Sequence, residues 1–186
     1  MKKIISTIIL KIIGWKVVLD GDIKNLDRCV LVTAPHTANM DYILGILTFW
    51  YLGKKMKVVI KDDHTKAFYG KIVEKEGGIG INRAQANDLV NILSDLYKTE
   101  DFSLIITPEG TRNKVRKWRL GFLEIAKKAD VKLVTAGGDY KRKEVRLGKE
   151  IANYQNREFA DFMGEIEEHF KGFTPKFPEQ YNTKIF

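Results

Sequence analysis

Three short polar clusters carry the side chains best equipped for chemistry in this sequence. They are Pro35-His36-Thr37-Ala38-Asn39-Met40-Asp41, Gly80-Ile81-Asn82-Arg83 and Pro108-Glu109-Gly110-Thr111-Arg112. A histidine oriented by a carboxylate is a general base, because the acid fixes the tautomer and stabilises the imidazolium that forms. The spacing sets a condition on the first cluster. Five positions of regular helix turn through about 500°, leaving two side chains about 140° apart. His36 and Asp41 can meet only if His36 stands on a turn and Asp41 in the first turn of a helix. There a carboxylate also suits the positive end of the helix dipole. Arginine grips phosphate oxygens in bidentate fashion and stays charged at any relevant pH. One crevice holding His36, Asp41, Arg83 and the 109–112 cluster would suit proton removal from a hydroxyl on a phosphate-bearing substrate.

Such a crevice requires that each cluster stand at the end of a strand, and the apolar pattern supplies those strands. Residues 29–34 (Cys29-Val30-Leu31-Val32-Thr33-Ala34) form a β-branched run of the kind found in buried strands. Pro35 keeps the residue before it extended. A helix is expected over 39–52, stopped by Gly53, then a strand over 56–60. Residues 65–69 suit a short helical turn, 77–83 a glycine-rich extended segment and 84–97 a helix. A strand over 102–107 delivers the third cluster. A helix over 120–129, a strand over 132–136, an antiparallel edge strand over 140–147 and a helix over 159–170 follow. Residues 15–20 suit a first strand. Strands alternating with helices give an α/β fold, with a mostly parallel mixed sheet flanked by helices. Ligands in such sheets bind outside the carboxyl ends of the strands.

Length and composition agree with one domain. The chain has 186 residues, 44% hydrophobic and 30% charged, too short for two comfortable cores. Residues 15–171 form the expected domain, residues 172–186 a loosely attached C-terminal tail. Residues 1–14 form an amphipathic helix with Ile4, Ile5, Ile8, Ile9, Ile12 and Ile13 on one side and Lys3, Thr7 and Lys11 opposite. It is far short of the ~20 apolar residues that span a bilayer. Packing on the domain and lying in a membrane interface both remain open for it. The single Cys29 lies inside a strand and reads as a buried apolar group in a reducing compartment. With one cysteine and three histidines, no metal site is expected. His64 is read as a solvated loop residue and His169 as a helix-surface residue, neither of them catalytic. The net charge of +8 asks for nucleic acid, a membrane surface or an anionic substrate as partner. In the basic stretch after Arg112, Trp118 among cations suits a lipid headgroup region.

Taken in order, the clusters resemble the conserved blocks of the glycerolipid acyltransferases, above all the bacterial 1-acyl-sn-glycerol-3-phosphate (lysophosphatidate) acyltransferases. His36 and Asp41 match the block H-x-x-x-x-D, Gly80 to Arg83 an apolar strand ending in arginine, and Pro108 to Arg112 the block P-E-G-T-R. The resemblance covers roughly residues 15–150. It departs at Pro35, where the family often has asparagine or serine, and in 134–137, which lacks the family's usual proline.

The resemblance implies acyl transfer from a thioester of coenzyme A or acyl carrier protein to a lysophospholipid hydroxyl, with no cofactor, metal or covalent enzyme intermediate. His36 would be the general base and Asp41 its orienting acid. Arg83 and Arg112 would grip the acceptor phosphate, and Glu109 would orient Arg112 or the acceptor. Backbone amides near Gly110, beside Thr111, would assist at the oxyanion. The implied location is peripheral or monotopic, on an anionic membrane at its cytoplasmic face. Other acceptors such as a lyso-ornithine lipid, a thioesterase or lipid hydrolase, and a basic nucleic-acid-binding protein are the rival readings. No nucleic-acid motif supports the last of these.

Overall fold

The computed structural model describes residues 1–68, 70–81 and 88–186, apart from the side chains of residues 61 and 64. Seven strands form one sheet: β1 (Lys16–Leu19), β2 (Cys29–Thr33), β3 (Met56–Lys61), β4 (Gly78–Ile81), β5 (Ser103–Ile106), β6 (Lys132–Asp139) and β7 (Glu144–Glu150). The helices are α1 (Lys2–Ile13), α2 (Met40–Leu52), α3 (Asp62–Lys66), α4 (Gly70–Lys75), α5 (Leu89–Leu96), α6 (Gly121–Ala129) and α7 (Phe159–Lys171). This is the α/β architecture expected from the apolar pattern.

The strand order is β1-β7-β6-β2-β5-β3-β4. β2 runs parallel to both neighbours, with Val32 opposite Ile106 of β5 and Thr135 of β6. Period-two alternation explains its central place. Val30 and Val32 enter the core with Phe102, Phe122, Phe162 and Phe170, while Cys29 and Leu31 enter the opposite core with Leu26 and Phe49. Burial of Cys29 pushes its thiol up to about 12, so it stays a protonated, inert group.

Several expectations change at the periphery. β7 is antiparallel to β6 as expected, but it is not an edge, because β1 pairs with its far side. α3 begins at Asp62 and includes His64, which is therefore not in a loop, and α4 was not foreseen. The described part of the helix expected over 84–97 is α5. The tail is not loose. Phe173, Tyr181 and Ile185 are buried, and the Trp118 N–H donates to the Ile185 carbonyl at 2.8 Å. Trp118 itself is buried edge-on to Phe122 and Phe170, away from any headgroup. His169 lies edge-on to Phe170 and Phe173 with its Nε2 buried and unpartnered. Burial holds it down to about 4, so it is neutral at neutral pH.

α1 settles on the domain through a narrow seam. Ser6 and Leu10 are buried, and Leu10 packs with Trp15, Leu44 and Leu47. Ile4, Ile5, Ile8, Ile9 and Ile12 face outward, with Ile12 77% exposed. At 100° per residue they cover an arc of about 140° beside the buried seam.

Candidate active site

Parallel pairing of β5, β2 and β6 brings three strand ends to one rim. His36 follows β2, Glu109 follows β5, and Tyr140 follows β6. α2 begins at Met40, so Asp41 lies in its first turn and His36 on the turn before it. That is the arrangement the spacing required. His36 Nδ1 lies 3.1 Å from Asp41 Oδ2. The Thr37 and Ala38 N–H groups donate to the same oxygen, each at 2.9 Å. The Tyr140 hydroxyl donates to Oδ1 at 2.5 Å. Burial raises the Asp41 carboxyl, but hydrogen bonds from His36, Tyr140 and Ala38 outweigh it and hold it below the ordinary aspartate value. Asp41 is therefore an anion. With Nδ1 committed to it, Nε2 of His36 has no protein partner among the described residues, and the side chain is 21% exposed.

Glu109 takes a different position from the expected one. Its carboxyl is buried behind the turn and accepts the His36 backbone N–H, at 3.1 Å to Oε2 and 3.3 Å to Oε1. It does not orient Arg112, whose guanidinium instead donates to the Asn39 side-chain oxygen. Burial pushes the Glu109 carboxyl up to about 8; the His36 N–H opposes this and the Asp41 charge adds to it. At neutral pH the two acids on this turn thus differ in state, one anionic and one protonated. Gly110 has φ +65, a conformation suited to glycine, and a side chain there would meet the Arg119 guanidinium. Its N–H donates to the Thr107 carbonyl at 3.0 Å, so that amide is not free for an oxyanion. The Thr111 hydroxyl accepts from the Asn113 N–H at 3.3 Å, which shapes the loop carrying Arg112.

Arg112 and His36 are on the same rim, because Asn39 belongs to the turn that His36 begins. A surface cavity of about 440 Å³ opens there, between the 37–40 turn, Arg112 and the tail residues Lys176, Phe177 and Gln180. Arg83 lies outside the described residues. β4, the strand before it, is three interstrand steps from β2, about 14 Å across the sheet.

A family model described as acyltransferase matches residues 17–137, which hold most of the sheet and the clusters of His36, Asp41 and Glu109 to Arg112, but neither Tyr140 nor the tail. The chain belongs to the acyltransferase family. No curated protein matches this acyltransferase by sequence. Among solved structures it is similar to the 1-acyl-sn-glycerophosphate (LPA) acyltransferase PlsC from Thermotoga maritima. That likeness has a TM-score of 0.60 at 15% identity, over 91% of this chain and 75% of that one. At such identity it is a likeness of fold.

The sequence pattern did not point to Tyr140. Its position one residue beyond a glycine-containing strand was the available signal, but its use required knowing that β6 lies beside β2. Its ring packs edge-on to Trp15 at 4.9 Å, and its N–H donates to the Thr174 carbonyl at 2.8 Å. Both contacts aim the hydroxyl at Asp41. Tyr140 thus holds the Asp41 oxygen that His36 does not use.

Proposed function

We propose that this acyltransferase moves a fatty acyl group from a coenzyme A or carrier-protein thioester to the free hydroxyl of a lysophospholipid, with 1-acyl-sn-glycerol 3-phosphate as acceptor. The carrying observation is the His36 ring, tied by Nδ1 to an anionic Asp41 with Nε2 left open. Nε2 takes the proton as the acceptor oxygen bonds to the thioester carbonyl carbon. The carbon–sulfur bond then breaks, and the departing thiolate recovers the proton from the imidazolium. A base so placed contributes on the order of 10²–10⁴ in rate. Arg112, with no carboxylate partner among the described residues, faces the cavity and receives the acceptor phosphate.

The acceptor and product are lipids, and the surface fits a bilayer. No helix among the described residues is long and apolar enough to cross a membrane. The outward isoleucines of α1 suit peripheral contact, with Lys11 flanking the apolar arc and drawn to anionic lipid.

The test offers a labelled palmitoyl thioester of coenzyme A, and separately of acyl carrier protein, with a panel of lysolipids. Wild type should form diacylated product from lysophosphatidate, and His36→Ala should reduce formation at least about 100-fold. Equal product from both proteins would refute the mechanism. Thiol release that no lysolipid accelerates would identify a thioesterase instead.

A further inference from the structure

The tail from Gly172 crosses the cavity beside the 37–40 turn and is held at both ends. Before the crossing, Phe173 is buried against the core and Thr174 accepts from Tyr140. After it, Tyr181 is buried near Glu109 and Ile185 joins the main core. Two prolines, Pro175 and Pro178, restrict the chain between these anchors. The Phe177 N–H donates to the Thr37 hydroxyl at 3.3 Å. The Gln180 side-chain amide, oriented to satisfy its surroundings, donates to the Thr37 and Arg112 carbonyls at 3.3 and 2.8 Å. The strap therefore grips the histidine turn and the arginine loop together.

The segment between the anchors supplies a charge. Lys176 is exposed, lines the same cavity as Arg112, and holds its ammonium 5.5 Å from the centre of the Phe177 ring. No acidic side chain lines the cavity among the described residues, and neither cation has a carboxylate partner there. Two like charges facing one space repel until an anion enters between them. The side-chain amides of Asn39 and Asn113 in the same wall are donors that suit the oxygens of a phosphate. The volume is in the usual range for a small-molecule site, about 300–1,000 Å³.

We propose that Lys176 is a binding residue for the acceptor, the cation that with Arg112 encloses the phosphomonoester of the lysolipid while its hydroxyl reaches His36. This deepens the reading of the chain as a lysophospholipid acyltransferase and rests on it. Phosphate also occurs in coenzyme A and in the prosthetic arm of acyl carrier protein, so the test separates acceptor from donor. Initial rates are measured for wild type, Lys176→Ala, Lys176→Arg and Lys184→Ala, the last an exposed lysine of the same strap that does not line the cavity. Each is assayed with 1-oleoyl-glycerol 3-phosphate varied at saturating palmitoyl thioester, and then with the thioester varied. Binding of glycerol 3-phosphate to the enzyme without thioester is followed by calorimetry.

Lys176→Ala should raise KM for the lysolipid about tenfold, the loss of one charge-assisted contact. Its kcat and donor KM should stay within about twofold. It should weaken glycerol 3-phosphate binding to match, Lys176→Arg should restore most of both, and Lys184→Ala should change neither. An unchanged acceptor KM in Lys176→Ala overturns the assignment, and so does a rise confined to the donor KM. An active wild type with an indifferent Lys176→Ala removes this inference alone. A wild type that acylates no lysolipid removes the reading beneath it.

Discussion

Replacing Tyr140 by phenylalanine deletes one oxygen and leaves the ring against Trp15. Asp41 then loses its only described donor to Oδ1, while Oδ2 keeps His36, Thr37 and Ala38. A hydrogen bond to a charged group is worth about 1.5–3 kcal/mol, and the loss falls on the ionised carboxyl. Because donors hold Asp41 below its ordinary value, their contribution is present above pH ~4 and is lost as the pH falls through the depressed value. The Tyr140→Phe protein should therefore be less stable than wild type by about 2 kcal/mol at pH 7, with the gap closing as the pH falls through the depressed Asp41 value. Urea denaturation from pH 7 down into the acid range measures this. In the reaction, the carboxylate freed on one side turns more readily about its Cβ–Cγ bond and holds the imidazole less well. The expected cost is about tenfold in kcat, equivalent to about 1.4 kcal/mol, with acceptor KM little changed. A variant with wild-type kcat and a pH-independent stability difference would show that the hydroxyl does not hold Asp41.

Glu109→Gln keeps an acceptor for the His36 N–H but cannot ionise. In wild type the folded-state carboxyl sits near 8 against an ordinary 4.5, so the unfolded chain binds fewer protons between those values and stability falls as pH rises through them. The fall approaches about 5 kcal/mol at 1.4 kcal/mol per pH unit, and the variant should lose this slope in denaturation at pH 5, 7 and 9. A slope retained in the variant would mean that another group carries it. Ile8 and Ile12 are 53% and 77% exposed, so changing both to serine should leave the melting temperature within about 2 °C. The same pair should lower flotation with anionic liposomes at least about tenfold, since each buried isoleucine is worth about 1.5–3 kcal/mol. Undiminished flotation would exclude α1 as the contact.

The parts of this site that could be read in the sequence are those determined locally. His36 and Asp41 are five residues apart, and a strand, a turn and a helix start between 29 and 41 leave them one way to meet. Pro108 to Arg112 was likewise placed at a strand's end by the apolar run before it. What escaped depends on pairings far apart in the chain. Tyr140 reaches Asp41 across 99 positions, and only because β6 lies beside β2. Trp118 reads as a headgroup residue until Phe170 and Ile185 are known to enclose it. The resemblance gave Glu109 the task of orienting Arg112 or the acceptor, whereas the turn after β2 offers its buried carboxyl a backbone donor. The tail's prolines suggested looseness, yet Phe173, Tyr181 and Ile185 at intervals along it are what anchor a strap.

The two parts of the candidate site rest on different supports. The His36–Asp41 pair is built from the ends of three adjacent parallel strands and one helix start, with Asp41 fixed by four donors and His36 fixed at both ring and backbone. The cavity wall is built from the 112 loop and the strap, which meet the His36–Asp41 pair through Thr37, Asn39 and Tyr140. On the proposed function, substitutions in that wall would alter acceptor preference and leave the His36–Asp41 geometry in place. The cluster that seats α1 also bears on Asp41. Leu10 of α1 packs with Trp15, and Trp15 packs on Tyr140, whose hydroxyl holds Asp41. On the proposed function, a shift of α1 at a lipid surface would therefore reach the Asp41 carboxylate through Trp15 and Tyr140.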